Sequence, residues 1–197
     1  MNLRKIVLAA AVVACVSVAA NADVHPNAIG LRFWSGSIFG AEINYQMGMG
    51  EANRLEIGFG GGSNSYNDWY DWYGPNGSYE RVRRQTHEGW FGAFGAYQWY
   101  WNISRSAARG GFNWYAGPGV GVGFWNKSVD QYRGSPVDYN NEGKINLDAG
   151  GQIGIEFDFN VLGAPIVVSI DTRPVIRLLD GGYIDIINLG LGVRYTF

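Results

Sequence analysis

The sequence has 197 residues, with 30 glycines, 15% aromatic residues and a formal net charge of −2. A net charge this small does not favour nucleic acid or an acidic substrate as the partner. The single cysteine, Cys15, falls inside a predicted leader, so the remaining chain has no thiol for a disulfide or a cysteine-ligated metal.

Residues 1–22 have the pattern of a secretory signal peptide. Arg4 and Lys5 form its positive segment, residues 6–13 form its apolar segment, and the Ala-Asn-Ala of residues 20–22 is a small-x-small cleavage site. We therefore expect this leader to be removed during export.

The mature chain is then expected to be residues 23–197, which is one domain by length. A competing interpretation takes residues 12–15 as a lipoprotein processing site, with Cys15 as the lipidated residue. Ordinary cleavage is favoured because apolar residues continue beyond Cys15 and a small-x-small site follows. Beyond the leader, no apolar run approaches the roughly 18 residues that a transmembrane helix needs.

After the leader, apolar residues recurrently alternate with polar residues or glycines. Alternation with a period of two predicts β-strands with two different faces. Eight such segments follow one another and predict a chain of consecutive antiparallel strands. They cover residues 29–34, 39–47, 54–60, 87–101, 112–125, 145–158, 165–173 and 187–197.

Polar or glycine-rich segments separate the predicted strands. Two of them, 64–86 and 126–143, are long and are interpreted as loops, and a turn is expected inside the first at Pro75, Asn76 and Gly77. The other connections are expected at residues 35–37, near Gly48, at 102–111, near Asn160 and at 174–186.

Ionised residues fall on one face of these strands, and the apolar faces carry none. A basic residue facing lipid costs about 2–4 kcal/mol at mid-bilayer, so this partition suits a membrane barrel whose apolar side chains point outward. A soluble β-sandwich gives the same alternation with its apolar side buried, and it is the alternative fold. The charged residues on the polar faces are Arg32, Glu42, Arg54, Glu56, Glu88, Lys144, Asp148, Glu156, Asp158, Asp171, Arg173 and Arg194.

Large aromatic residues separate the two alternatives. A membrane barrel places them near the strand ends, in girdles at the two membrane interfaces, whereas a sandwich core places more of them mid-strand. The residues near strand ends are Trp34, Trp90, Trp99, Tyr100, Trp101, Trp114, Tyr115, Trp125 and Tyr195. The prediction is therefore an all-β fold, a closed eight-stranded antiparallel up-and-down transmembrane β-barrel, in which closure removes every sheet edge.

The last predicted strand, 187–197, alternates without a break and ends on an aromatic residue. In this it resembles the closing strand of small eight-stranded Gram-negative outer-membrane barrels, the OmpA transmembrane-domain and OmpX type. The resemblance implies an outer-membrane location, periplasmic termini, contact with outer-membrane lipid and lipopolysaccharide, and recognition by the barrel-assembly machinery. The residues that would carry this assembly signal are Leu191, Val193, Tyr195 and Phe197.

An eight-stranded barrel has an interior just wide enough for side chains. Inward charges must pair there because an unpaired buried charge is costly, so we predict a lumen plugged by its own ionic network. The predicted members are Arg32, Glu42, Arg54, Glu56, Glu156, Asp171, Arg173 and Arg194. The candidate pairs are Glu42 or Glu56 with Arg32, Arg54 or Arg194, and Asp171 with a neighbouring arginine. The glycines of the fifth strand are expected to make room for Arg173.

The predicted function is non-enzymatic and requires no cofactor: envelope structure or surface interaction. Segment 64–86 contains four aromatic rings between Trp69 and Tyr73, followed by three arginines. Such a cluster suits a surface glycan, a protein or lipopolysaccharide. The alternative is that the rings cap the barrel in the headgroup zone while the arginines are solvated.

Two other functions remain open. One is a narrow channel or carrier for small solutes. The other is an enzyme acting on lipid A at the outer rim, where His87 stands beside Glu88. The mature chain has only two histidines, His25 and His87, which do not predict a metal site.

Overall fold

The computed structural model describes residues 27–36, 39–50, 52–74, 76–103, 111–132, 139–179, 184–185 and 188–197. Their regular structure is almost entirely β, and no helix among them is long and apolar enough to cross a membrane. The predicted signal peptide and His25 lie outside the described residues, and the cleavage and lipidation of the leader stay predictions. The strands are β1 (Asn27–Ser35), β2 (Phe39–Gly48), β3 (Asn53–Tyr73), β4 (Tyr79–Asn102), β5 (Phe112–Tyr132), β6 (Tyr139–Asp158), β7 (Ile166–Thr172), β8 (Val175–Arg177), β9 (Ile184–Asp185) and β10 (Leu189–Thr196).

Eight of these strands pair in a closed antiparallel ring. From β1 to β7 each strand pairs with the next, and β10 joins β7 to β1. The first and last strands of the ring meet directly, with Ile29 opposite Tyr195 and Phe33 opposite Leu191. The predicted fold class is therefore confirmed as an all-β, up-and-down ring of eight antiparallel strands.

Side chains alternate strictly between the two faces of the ring. In β10 the odd-numbered residues are exposed and the even-numbered ones are buried, and β2 shows the same regular alternation. Apolar residues occupy the exposed positions: Leu191 is 48% exposed and Ile43 is 60% exposed. Arg194 and Glu56, by contrast, are 1% and 0% exposed. The apolar side chains therefore face outward and the ionised ones inward, as the barrel alternative requires.

The structure corrects both predicted long loops. Most of segment 64–86 is strand, because β3 continues to Tyr73 and β4 starts at Tyr79. Segment 126–143 is mostly strand as well, since β5 continues to Tyr132 and β6 starts at Tyr139. These extensions lack the apolar alternation because both of their faces are polar, and alternation was the signal that defined the strands. The turn between β3 and β4 does lie at Gly77, whose φ is +72°.

Four long strands and four short ones make the ring uneven in height. β3, β4, β5 and β6 have 20 to 24 residues each, whereas β1, β2, β7 and β10 have 7 to 10. We call the projecting part the raised sheet and define it as residues 64–73, 79–88, 126–132 and 139–143. It stands at the end of the ring opposite the chain termini.

Two other connections contain regular structure, whereas residue 37 of the predicted connection 35–37 and residues 104–110 of the predicted connection 102–111 lie outside the described residues. β8 and β9 pair with one another, and β8 also pairs with β6, so part of the predicted loop 174–186 is a small extension of the last hairpin. Near Asn160 a single turn of 3-10 helix joins β6 to β7, and the Asp158 side chain accepts a hydrogen bond from the Asn160 backbone N–H at its start. Within the described residues the last strand starts at Leu189, and residue 187, where the predicted strand starts, lies outside them.

Candidate functional site

The lumen is filled by an ionic network that runs between opposite walls of the ring. At one side the Arg32 guanidinium bonds the Asp171 carboxylate, with nitrogen–oxygen distances of 2.7 and 2.8 Å. The Tyr115 hydroxyl donates to the other oxygen of Asp171 at 3.0 Å. Arg32 comes from β1 and Asp171 from β7, and β10 lies between those two strands in the ring.

A second pair lies nearer the terminal end of the ring. Arg54 Nη2 is 2.7 Å from Glu156 Oε2, and the Tyr100 hydroxyl donates to Glu156 Oε1 at 2.7 Å. The Arg54 guanidinium also lies 4.8 Å from the ring centre of Tyr100 and 4.5 Å from that of Tyr115. These rings exclude water from the pair and make favourable contact with its cation.

Glu56 is the centre of the network. Its carboxylate is 2.6 Å from Arg173 and 3.2 Å from Arg194, and it is fully buried. Arg173 in turn holds both oxygens of Glu42 at 2.7 Å, which is the bidentate geometry that a guanidinium and a carboxylate favour. Arg194 completes its coordination with the side chains of Asn44 at 3.0 Å and Ser169 at 2.7 Å.

All eight residues predicted for the lumen network lie inside the ring and are at most 5% exposed. Of the candidate pairs, the structure contains Glu56 with Arg194 and Asp171 with an arginine. It pairs Glu42 with Arg173, a partner that the candidate pairs did not include. The uncharged members were not predicted, although they share the inward parity of the charged ones. They are Asn44, Gln46, Gln98, Tyr100, Tyr115, Gln152 and Ser169.

The predicted polar face also included four charges outside the network. Asp148 and Asp158 lie inside the ring. Lys144 is exposed and lies at the outer rim of the ring, where β6 leaves the raised sheet. Glu88 lies at the base of the raised sheet, 3.2 Å from Lys127.

The predicted aromatic girdles are wrong for five of the nine residues. A position near a strand end does not determine which face of the strand a residue occupies. Trp34 lies two residues from the inward Arg32, and Trp90 lies two residues from the inward Gly92, so both rings point inward. Trp34 and Trp90 meet edge to face in the lumen, with ring centres 5.9 Å apart. Only Trp99, Trp101, Trp114 and Tyr195 have the outward parity. The inward residues are Trp34, Trp90, Tyr100, Tyr115 and Trp125.

Glycines make room for long inward side chains, although not in the predicted way. Those of β5 lie against β4 rather than against Arg173: Gly119 and Gly121 face the Phe94 ring, and Gly123 faces Trp90. Arg173 then lies over Phe94, at 4.4 Å from the ring centre. The glycines therefore position Arg173 through the aromatic ring that they accommodate.

The four residues predicted as the assembly signal lie on the outer face at the end of the chain. Leu191, Val193, Tyr195 and Phe197 are each about half exposed, between 45% and 58%. The Tyr195 and Phe197 rings stack with centres 6.3 Å apart. Their recognition by the assembly machinery stays a prediction.

The raised sheet is held together by cross-strand pairs between polar side chains. Arg84 pairs with Asp68, the Tyr79 hydroxyl donates to Asp71 at 2.9 Å, and Arg81 lies over the Trp69 ring. The Arg84 guanidinium holds the pKa of Asp68 below its usual value by hydrogen bonding. Trp69, Tyr73 and Tyr79 are more than half exposed.

Two further pairs of the raised sheet show the same electrostatic logic. A hydrogen bond to Asp71 raises the pKa of Tyr79, and a hydrogen bond to Glu88 raises the pKa of Lys127.

The histidine considered for a rim enzyme, His87, is the cross-strand neighbour of Ser65, whose hydroxyl is 2.7 Å from Nδ1. This pair lies on the exposed outer face rather than in a cleft.

No protein-family model matches this sequence, and no curated protein matches it. Solved structures are similar in fold. Ail, the attachment invasion locus protein of Yersinia pestis, is 11% identical over 87% of this chain and 96% of that chain, with a TM-score of 0.46. The N-terminal β-barrel domain of Pseudomonas aeruginosa OprF is 10% identical over 88% and 100%, with a TM-score of 0.39. Neisserial surface protein A is 10% identical over 87% and 94%, with a TM-score of 0.34.

Proposed function

We propose that this chain is an integral outer-membrane barrel, non-enzymatic and closed by its own side chains, which makes surface contacts through the raised sheet. The observation that carries the proposal is the polarity of the ring: buried ions inside and exposed aliphatic and aromatic side chains outside. A soluble protein would leave this apolar surface in water, whereas lipid is its natural solvent.

The height of the apolar band fits a bilayer. Along β5 the outward positions are apolar from Phe112 to Phe124. Twelve residue steps of about 3.3 Å, tilted by about 40°, span roughly 30 Å, close to the thickness of a hydrocarbon core. The outward positions change to Asn126 at the base of the raised sheet, which therefore stands in water.

The plugged lumen favours a structural role over a channel. The network contains four arginines and four acids, so its formal charges cancel. Conduction would require these buried pairs to separate, and each separation leaves an uncompensated charge. Planar-bilayer recording tests this alternative: discrete single-channel steps from the purified protein would favour the channel.

The raised sheet supports a surface-contact role because one of its edges is free. β2 pairs with β3 only as far as Ser63, so among the described residues positions 64–73 pair on one side alone, with β4. These ten residues include no proline or lysine, the residues that most often protect an edge, and their two acids, Asp68 and Asp71, bond to side chains of β4. Such an edge can add an extended strand of a partner protein through main-chain hydrogen bonds.

Surface labelling of cysteine variants tests the location and orientation. In a Cys15→Ser background, Trp69→Cys should react with a membrane-impermeant maleimide on intact cells. Val193→Cys, on the outer face within the apolar band, should not react. The protein should also migrate differently on a gel before and after boiling, as a folded barrel does. Recovery in the periplasmic extract, or labelling of Trp69→Cys only after lysis, would contradict the proposal.

Hydrogen exchange tests the surface contact itself. In the purified barrel the amides of residues 64–73 that point away from β4 should exchange rapidly. In native outer membranes, where a partner is available, the same amides should be protected, while those that pair with β4 provide the internal control. Equal exchange in both preparations would refute the contact.

The rim-enzyme alternative has a direct test. The lipid A of cells that express the wild type should be identical in mass to that of cells that express His87→Ala. A mass difference between them would replace the non-enzymatic role with lipid A chemistry at the Ser65–His87 pair.

A further inference from the structure

The outer end of the lumen, above the ionic network, contains a cavity of about 80 Å³. One water needs roughly 10–15 Å³ by the same measure, so the cavity has room for a ring-sized molecule. Its walls combine aromatic rings with charged side chains. The aromatic lining residues are Trp34, Trp90, Phe94 and Trp125.

Glycines on neighbouring strands hold these rings against the wall. A Cβ at Gly40 would collide with the Trp34 indole, and one at Gly123 would collide with the Trp90 indole. The rings therefore lie on bare backbone instead of projecting across the lumen. The cavity is the space that they leave.

Two buried polar atoms at the cavity lack hydrogen-bond partners among the described residues. Asp148 is 9% exposed, and its Oδ1 accepts no hydrogen bond. Arg173 is 5% exposed; its terminal nitrogens bind Glu42 and Glu56, but its Nε–H donates to no acceptor. A buried polar atom without a partner costs about 1–3 kcal/mol, so an occupant that both donates and accepts is favoured here.

The formal charges of the lining cancel. Three arginines face three acids, so the cavity offers no net attraction to an ion. The Arg177 guanidinium also lies over the Trp125 ring, at 4.5 Å, and occupies the face that a ligand cation would use. The lining charges are Arg32, Arg173 and Arg177 against Glu42, Asp148 and Asp185.

We propose that this cavity binds a neutral pyranose, such as one sugar residue of a surface glycan. The C–H face of the ring would pack on the indole of Trp90. One hydroxyl would donate to Asp148 and another would accept from Arg173. Small-molecule sites usually combine aromatic surface with fixed polar groups, and this lining contains both.

The test uses the full chain folded in detergent, with methyl glucopyranoside as the probe and saturation-transfer NMR as the readout. Binding should be saturable. Trp90→Ala and Asp148→Asn should each weaken it by about tenfold, the equivalent of one lost contact of about 1.4 kcal/mol. Trp69→Ala on the raised sheet should leave it unchanged. The heat-dependent gel shift establishes that each variant is folded.

Three outcomes would overturn the proposal. The first is the absence of a saturable signal from the pyranoside. The second is unchanged binding in both cavity variants, or its loss in Trp69→Ala, because the sugar would then bind elsewhere. The third is saturable binding of tetramethylammonium with none of the pyranoside, which would make the cavity a cation site. None of these bears on membrane insertion, which the gel shift and cysteine labelling judge separately.

Discussion

Replacing Glu56 by glutamine should strongly destabilise the folded barrel. At an effective dielectric constant of about 20, two unit charges about 3 Å apart attract by roughly 5 kcal/mol. Glu56 makes two such contacts, with Arg173 and Arg194, and the variant would leave the lumen with one uncompensated positive charge. Part of this loss is offset, because glutamine avoids the desolvation cost of a buried carboxylate. Breaking a buried ion pair generally costs about 3–5 kcal/mol. Urea titration in lipid vesicles, followed by gel mobility, measures the change in unfolding free energy.

The matched control is Glu80→Gln, which removes the same charge from an exposed position on the raised sheet. It should change stability by no more than about 1 kcal/mol, because even a paired charge at an exposed position contributes only about 0–1 kcal/mol. The double variant Glu56→Gln with Arg194→Gln should lose less than the sum of the two single variants, because the second change removes part of the unpaired charge. A Glu56→Gln barrel within about 1 kcal/mol of the wild type would refute the view that paired charges stabilise the lumen.

Three further predictions test the apolar face, the glycines and the raised sheet. Leu191→Arg should cost about 2–4 kcal/mol in vesicles, and Leu191→Ile should cost little; equal stability of the two would argue against lipid at that face. Gly119→Leu should destabilise by about 1–3 kcal/mol because its Cβ overlaps Phe94, whereas Gly121→Ala, with its nearest atom at 3.3 Å, should cost less in the same titration. In the folded protein Arg84 lowers the pKa of Asp68, so their pair stabilises the raised sheet at pH values above the ordinary aspartate pKa of 3.8. This contribution is lost as the pH falls through the lower pKa of the folded state. Protease cleavage within residues 64–86 should therefore increase at acidic pH in the wild type but vary less with pH in Asp68→Asn.

The ring itself could be predicted from the sequence because lipid and lumen impose opposite demands on adjacent residues. Each strand of the apolar band must place apolar side chains on one face and polar or small side chains on the other. Leu189–Thr196 is the clearest case, and its predicted faces are those observed. The same rule predicts that the side chains of Glu56 and Arg194 point into the lumen, without reference to their ion-pair partners.

The raised sheet could not be predicted by that rule, since polar residues predominate on both of its faces. Its inward face buries Val82 and Thr86 but has no alternating apolar run, and cross-strand pairs such as Asp68 with Arg84 also stabilise its strands. When residues 64–73 are paired with residues 79–88 around the turn at Gly77, acids lie opposite arginines. This charge complementarity is the sequence feature that could have indicated the two strands. The side-chain pairs inside the lumen could not be predicted from the sequence either, because they depend on which strands face each other across the ring.

Inward glycines divide the lumen into two levels. On β3 the inward residues change from Arg54 and Glu56 to glycines at 58, 60 and 62, and on β5 glycines occupy 117, 119, 121 and 123. A wall without side chains can be filled only by long groups from elsewhere, such as Trp90, Phe94 and Arg173. Charged and polar side chains fill the lower level closely and leave a cavity of about 10 Å³ there, whereas flat rings against bare backbone leave about 80 Å³ in the upper one. Runs of inward glycines on nearby strands, such as β3 and β5 on either side of β4, therefore indicate from sequence alone where a narrow barrel has room for a ligand.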